Sequence, residues 1–274
     1  MSAPLRLMAV LAHPDDESLG LGGTLAKYAS EGVETFLVTA TRGEAGRYHG
    51  HRGDRHHPGA TELGRIREAE LRAAASVLGV GDLTFLDYRD TELDRADPRE
   101  AIAQIAFHVR RARPDVVVTF GPDGAYGHPD HIAICQYVTA AVAAAASPSM
   151  TTNGAGGAPP HLAKKLYYIA WPTAAWKAYQ EALKKLTSTV DGVERQAVPW
   201  PDWEITTVID TRQFWPVVWR AVSCHESQMA NYERLKGLLP EHHEALWGSQ
   251  SFYRALSTVN GGRTRETDLF EGIR

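Results

Sequence analysis

Apolar positions in the first half of the chain fall into two alternating rhythms. Leu5 to Ala12 is a nearly unbroken apolar run of strand length, the pattern of a strand covered on both faces. Ser18 to Ser30 carries the helical spacing, and Gly32 ends it. The next apolar run, Thr35 to Ala40, leads into a polar stretch from Thr41 to Ala60 that is dense in Gly, Arg and His. That stretch is too long for an ordinary connection, which predicts a functional or mobile loop. Thr61 to Leu78 reads as a helix with Thr61 as cap and Gly79 as stop. Leu83 to Leu86 reads as a strand, Pro98 to Arg113 as a helix, Val116 to Phe120 as a strand and Pro129 to Ala146 as a helix. Four rounds of strand and helix predict a Rossmann-like α/β fold, a mostly parallel sheet with helices on both faces.

Beyond residue 146 the rhythm loosens. Ser147 to Pro160 is small and poor in side chains that could pack, so an exposed flexible loop is expected. Leu166 to Ala170 and Ile205 to Ile209 read as strands, Arg212 to Ser223 and Gln228 to Leu239 as helices, and Ser251 to Ser257 as a late strand. The expected organisation is a Rossmann-like core over 1–146, a flexible loop over 147–163, and an irregular C-terminal part of the same domain over 164–274.

Composition narrows the functional classes. With 43% hydrophobic residues among 274, the chain can bury one large core without staples. Its two cysteines, Cys135 and Cys224, are far apart and read as small buried apolar residues, not as a disulfide or a zinc ribbon. A net charge of −4 lacks the basic footprint that phosphate-backbone binding needs, so nucleic acid is not an expected partner. The short apolar stretch at the N-terminus contains Arg6 and runs straight into charged residues, unlike an export signal. The longest apolar run, Ile132 to Ala146, is shorter than a bilayer span. No membrane span is expected, and the expected compartment is cytoplasmic.

Two short segments carry the chemistry. His13-Pro14-Asp15-Asp16-Glu17 follows the first strand and opens a helix, at the sheet edge where open α/β folds bind ligands. Alone, it could be a helix start with ordinary capping acids. Gly127-His128-Pro129-Asp130-His131, however, repeats the arrangement after a second strand. Zinc in hydrolytic sites takes three protein ligands and keeps a position open, and His13, Asp16 and His131 would supply that set. Ferrous iron suits the same ligands.

AHPDDE (Ala12 to Glu17) with its downstream Gly22-Gly23-Thr24, and GHPDH (Gly127 to His131), resemble the LmbE-like or PIG-L-type zinc de-N-acetylases. Weaker matches follow in the family's order: TRGEAG (Thr41 to Gly46), IREAEL (Ile66 to Leu71), LDYRDTEL (Leu86 to Leu93) and CHESQ (Cys224 to Gln228). The resemblance implies a zinc-dependent hydrolase, a deacetylase acting on N-acetylglucosamine conjugates. It implies His13, Asp16 and His131 as metal ligands and Asp15 as general base. It implies a protonated His128 at the oxyanion or leaving amine, with Asp130 fixing the His128 ring. It also puts Arg67 and Asp90 near sugar hydroxyls.

Other readings stay open at several positions. Arg67 could instead pair with Glu70 on a helix surface, and Glu44 is either a substrate-selecting residue or a solvated loop acid. Arg47 to Pro58, with His49, His51, His56 and His57, is expected to be a lid; a second metal is the alternative. His225 and Gln228 line the pocket or complete packing, His242 and His243 are expected in solvent, and the tryptophans are expected mainly in packing. The same metal centre could serve an amidase of a thiol-sugar conjugate, and a non-catalytic sugar- or nucleotide-binding module is the rival of another class. The expected partner is a small N-acetyl amino sugar, and homo-oligomer formation is left open.

Overall fold

The structure, a computed structural model, describes residues 3–150, 158–183, 187–190, 192–259 and 264–274. Part of the expected flexible loop, 151–157, lies outside the described residues. Apolar runs form β1 (Arg6–Leu11), β2 (Glu34–Thr41), β3 (Asp82–Tyr88), β4 (Val116–Phe120) and β5 (Lys165–Ile169). The amphipathic stretches between them form α1 (Asp16–Ser30), α2 (Ala60–Leu78), α3 (Pro98–Ala112), the single turn α4 (Gly124–Gly127) and α5 (Pro129–Ala146). The C-terminal part adds α6 (Thr173–Leu183), a small hairpin β6 (Thr187–Val190) and β7 (Val193–Gln196), then β8 (Thr207–Asp210), α7 (Trp215–Cys224), α8 (Pro240–Trp247) and β9 (Ser249–Ser257).

The main sheet has the order β3-β2-β1-β4-β5-β9-β8. Its first five strands are parallel, and β9 and β8 extend it antiparallel, so the fold is Rossmann-like as the alternation predicts. Helices α1, α2 and α7 pack together as one layer, and α3 and α5 as the other. Residues Leu7 to Ala12 are almost wholly buried, which explains why β1 shows no polar alternation.

Two expectations fail. Gln228 to Leu239 forms short 3-10 turns, Glu226–Gln228 and Glu233–Gly237, where a helix was expected; Gly237 and Pro240 interrupt the pattern before an α-helix can extend. The residue before α2 is Gly59, at φ 90°, so Thr61 lies inside the helix and is not its cap.

The C-terminal strands are bound to the core through Glu266, which is 1% exposed. Its carboxylate accepts from Lys165 Nζ (2.7 Å), the Tyr167 hydroxyl (2.7 Å) and the Thr207 hydroxyl (2.6 Å), and pairs with Arg254 Nη1 at 2.7 Å. Such a satisfied network keeps charge tolerable in a dry interior.

Candidate active site

The strand order reverses between β1 and β4, which are hydrogen-bonded neighbours. The chain leaves β1 for one helix layer and β4 for the other, so the loops after these strands open a crevice at the carboxyl edge. This is why two segments more than a hundred residues apart meet. Nδ1 of His13 lies 3.2 Å from Nε2 of His131. The Asp16 carboxylate lies 3.7 Å from His13 Nδ1 and 3.4 Å from His131 Nε2. Ligands about 2.1 Å from a tetrahedral ion stand about 3.4 Å apart; the two ring nitrogens meet that spacing, and Asp16 approaches them with different oxygens, Oδ1 toward His131 and Oδ2, which also accepts from His13 N at 2.8 Å, toward His13.

The opposite nitrogen of His13 faces two acids. Nε2 is 3.0 Å from Asp90 Oδ1 and 3.1 Å from Asp130 Oδ2. A proton on Nε2 is therefore held by carboxylates and the lone pair of Nδ1 is aimed at His131 and Asp16, the tautomer a metal ligand requires. Among the described residues, His13, His128 and His131 also bring ring nitrogens within 4.8 Å of one another, and His13, Asp90 and Asp130 form a further group. In that second group the acids approach the Nε2 side of His13.

Burial disfavours charge on all these groups, and their neighbours then separate them. For His13, Asp90 and Asp130 outweigh desolvation and raise the pKa well above the ordinary histidine value. His131 is pushed well below it by burial and by the His13 and His128 rings. Burial carries Asp16 up to about 7, against the opposing pull of His13. Two imidazole nitrogens 3.2 Å apart must share either a proton or a cation.

Asp130 does not take the place expected for it. It supports His13, not the His128 ring, and its two oxygens also accept the backbone N–H groups of Thr91 (2.8 Å) and Leu93 (3.2 Å). His128 caps α5 instead, its Nδ1 accepting from Asp130 N at 3.2 Å. For His128, burial first, and then the charge of His13, bring the pKa down to about 4, a shift opposite in direction to the protonated ring expected.

Asp15 precedes α1 at φ 95°, in the left-handed region, and makes no capping hydrogen bond, so the helix-capping explanation fails. Its carboxylate instead accepts from the Tyr232 hydroxyl (2.8 Å) and from Arg67 Nη2 (3.1 Å). A strained backbone carrying an acid into a cavity is common at functional sites. Arg67 is buried and spends its guanidinium on the carbonyls of Gly43 and Pro14 as well as on Asp15. It is not the surface partner of Glu70, which binds Ser227 N and Oγ. Gly43, at φ 64°, admits this arginine because a Cβ there would meet Nη1 at 1.9 Å. Asp90 and Glu44 are likewise committed internally: Asp90 holds His13 and the N–H of Ala45, and Glu44 accepts from Asp90 N at 3.0 Å. Glu44 does not line the site cavity.

Two cavities meet at Asp15, Asp16, Tyr126 and Tyr232. One is polar and opens past His13, Arg67, Asp90 and His128 to Arg47, Arg52 and Gln228. The other is aromatic, lined by Phe120, Trp171, Trp176 and Tyr179 beside His131. Phe120 stacks on the His131 ring, with centroids 3.9 Å apart and planes 7° apart, and fixes its orientation. Tyr126 and Tyr232 escaped sequence reasoning. Tyr126 directly precedes the GHPDH motif but falls outside it; Tyr232 sits among 3-10 turns with no periodicity to mark it.

His225 lies outside both cavities and pairs with Glu17 at 2.8 Å, joining the start of α1 to the end of α7. Gln228 lines the polar cavity and holds the carbonyl of Arg47. His243 is buried against Trp215, Trp219 and Trp247, contrary to its expected solvation. Burial carries the Cys135 thiol up to about 11, while Cys224 is only partly buried. No described helix is long and apolar enough to cross a membrane.

Residues 8–142 match the family described as PIG-L, GlcNAc-PI de-N-acetylase. The 1D-myo-inositol 2-acetamido-2-deoxy-alpha-D-glucopyranoside deacetylase of Kineococcus radiotolerans is 36% identical over 100% of this chain and 84% of its own length. The N,N'-diacetylchitobiose deacetylase of Pyrococcus horikoshii superposes with a TM-score of 0.65 at 22% identity, covering 91% of this chain and 83% of that one. GalB, the 4-carboxy-2-hydroxymuconate hydratase of Pseudomonas putida, superposes at 0.69 with 19% identity over 94% and 99% of the two chains. Since a deacetylase and a hydratase share the fold, the fold does not select the chemistry; the site must.

Proposed function

The chain belongs to the PIG-L family of de-N-acetylases, and from that premise we propose that it hydrolyses the acetamide of an N-acetylglucosaminyl conjugate with one divalent metal ion. The observation that supports the reading is the approach of His13 Nδ1 to His131 Nε2 at 3.2 Å with the Asp16 carboxylate beside them, Oδ1 3.4 Å from His131 Nε2 and Oδ2 3.7 Å from His13 Nδ1. These three are the proposed ligands. Zinc is the proposed ion, with ferrous iron served by the same donors, and the cytoplasm is the proposed compartment. The relative's substrate, an N-acetylglucosaminyl inositol, indicates the class of conjugate.

A bound ion there supplies Lewis acidity, drawing electron density from the amide carbonyl and making water more acidic. Asp15 accepts the proton of the attacking water, with Arg67 and Tyr232 holding its carboxylate in place. Because His128 Nδ1 accepts the Asp130 amide, the neutral ring carries its proton on Nε2. That N–H donates to the oxyanion as the carbonyl carbon becomes tetrahedral. Protonated Asp15 returns its proton to the amine as the C–N bond breaks, giving acetate and the free amino sugar. Asp90 and Asp130 act as positioning residues through His13, and Arg67 through Asp15.

The test is a screen of N-acetylglucosaminyl glycosides for free amine and acetate. The expected result is stoichiometric release of both from a glucosaminyl inositol-type conjugate; metal-replete protein that releases neither from any of them would defeat the reading. The aromatic cavity beside His131 favours a second reading, cleavage of a bulkier acyl group such as an N-acetylated cysteine conjugate. Faster release of that acyl group than of acetate would select it.

Asp130→Ala is expected to weaken metal binding about 10–100-fold, because His13 loses a carboxylate that fixes its tautomer. It should also lower stability by about 1–3 kcal/mol per stranded donor, since Thr91 N and Leu93 N lose their acceptor. Metal-competition titration and thermal unfolding measure the two effects separately.

A further inference from the structure

The connection between β2 and α2 carries a second group of donors that the proposed reaction leaves unused. His51, Asp54 and His56 bring a ring nitrogen, a carboxylate oxygen and a ring nitrogen within 4.8 Å of one another. Asp54 sits between the rings: Oδ2 is 2.9 Å from His51 Nδ1 and Oδ1 is 3.5 Å from His56 Nδ1, with ring centroids 4.7 Å apart. Two imidazoles and a carboxylate are the donor set of a zinc-class ion, and their donor atoms already lie close enough to gather on one by a small adjustment of exposed side chains. The backbone is already curved for it. Tyr48 and His51 exchange two hydrogen bonds of 2.9 Å, and Asp54 accepts from His56 N through its side chain and from His57 N through its carbonyl. All three donors are exposed, so an ion and its completing waters reach them without any opening of the fold.

The position of this turn gives the site a consequence. Arg52, enclosed between the donors, lines the mouth of the polar cavity, and Gln228 holds the neighbouring Arg47 carbonyl at 2.7 Å. We propose that His51, Asp54 and His56 form a second, weaker site for a zinc-class divalent cation, which staples the turn 51–56 and thereby fixes Arg52 at the cavity mouth. The inference is independent of the reaction, since none of its ligands belongs to the catalytic machinery.

The test titrates zinc chloride into enzyme that already holds one tight equivalent, by calorimetry in chelator-free buffer, with parent and a His51→Ala/His56→Ala variant side by side. The parent is expected to take up a second, weaker equivalent that the variant lacks, while both keep the first. Trypsin provides a readout apart from activity, because Arg52 and Arg55 are exposed cleavage sites within the turn. With free zinc at about ten times its dissociation constant, cleavage there should slow about tenfold in the parent and not in the variant. Zinc uptake by the parent no greater than by the variant, or cleavage that zinc leaves unchanged, overturns the proposal.

Discussion

An Asp15→Asn enzyme is expected to release amine about 10³-fold more slowly than the parent while still binding one equivalent of metal. The carboxylate accepts from Tyr232 and Arg67 but stands outside the set closing on His13, Asp16 and His131, so its loss removes a proton acceptor without removing a donor to the ion. Asparagine is the suitable replacement for a backbone reason. Residue 15 sits at φ 95°, a region that asparagine tolerates far better than alanine, so the comparison isolates the charge from the strain. The remaining amide oxygen can still meet the tyrosine hydroxyl. Amine release under saturating substrate, together with metal analysis of the same preparation, measures both halves. A variant that keeps more than about a tenth of the parental rate would leave no room for Asp15 as the base.

His131→Ala should have the larger effect on metal. It removes one of the two nitrogens facing each other at 3.2 Å and leaves only His13 and Asp16 of the proposed ligands, too few to retain zinc against dialysis. Metal content is expected to fall from about one equivalent to nearly none, and turnover by at least about 10³-fold with it. His131 is 2% exposed and stacks on Phe120, so thermal unfolding must accompany the measurement. A variant that unfolds like the parent, holds its zinc and turns over substrate would remove His131 from the proposed ligand set.

The core of this site was readable in the sequence because topology does the work of bringing it together. A motif directly after a buried strand must lie at the carboxyl edge, and two such motifs after neighbouring parallel strands must face each other. Spacing along the chain could not reveal which way a polar side chain turns once there. Asp90 and Asp130 illustrate this: both address the far nitrogen of His13, Asp130 in place of the His128 ring and Asp90 while lining the polar cavity where its sugar contact is expected. Arg67 is no surface ion pair: it is buried, braces Asp15 and lines the polar cavity where its sugar contact is expected. A charged side chain in a crevice can face a ligand or the residue that faces it, and its type alone does not distinguish the two. The second half was harder for a different reason. Tyr232 comes from a stretch of 3-10 turns with neither a two-residue nor a helical period, so its approach to Asp15 had no local signature.

Glu266 has a consequence for how this chain can be shortened or extended. Lys165, fully buried in β5, relies on that carboxylate and on the carbonyl of Glu271 for its hydrogen bonds. Trimming the polypeptide back past position 266 would therefore strand the Lys165 cation in the interior and take the shared carboxylate from Tyr167, Thr207 and Arg254, a cost of about 3–5 kcal/mol from the lost ion pair alone. Fusion of another protein after the exposed Arg274 disturbs none of these contacts. The loss of this one carboxylate therefore unbalances an interior that Lys165 shares with it, whatever else a deletion removes.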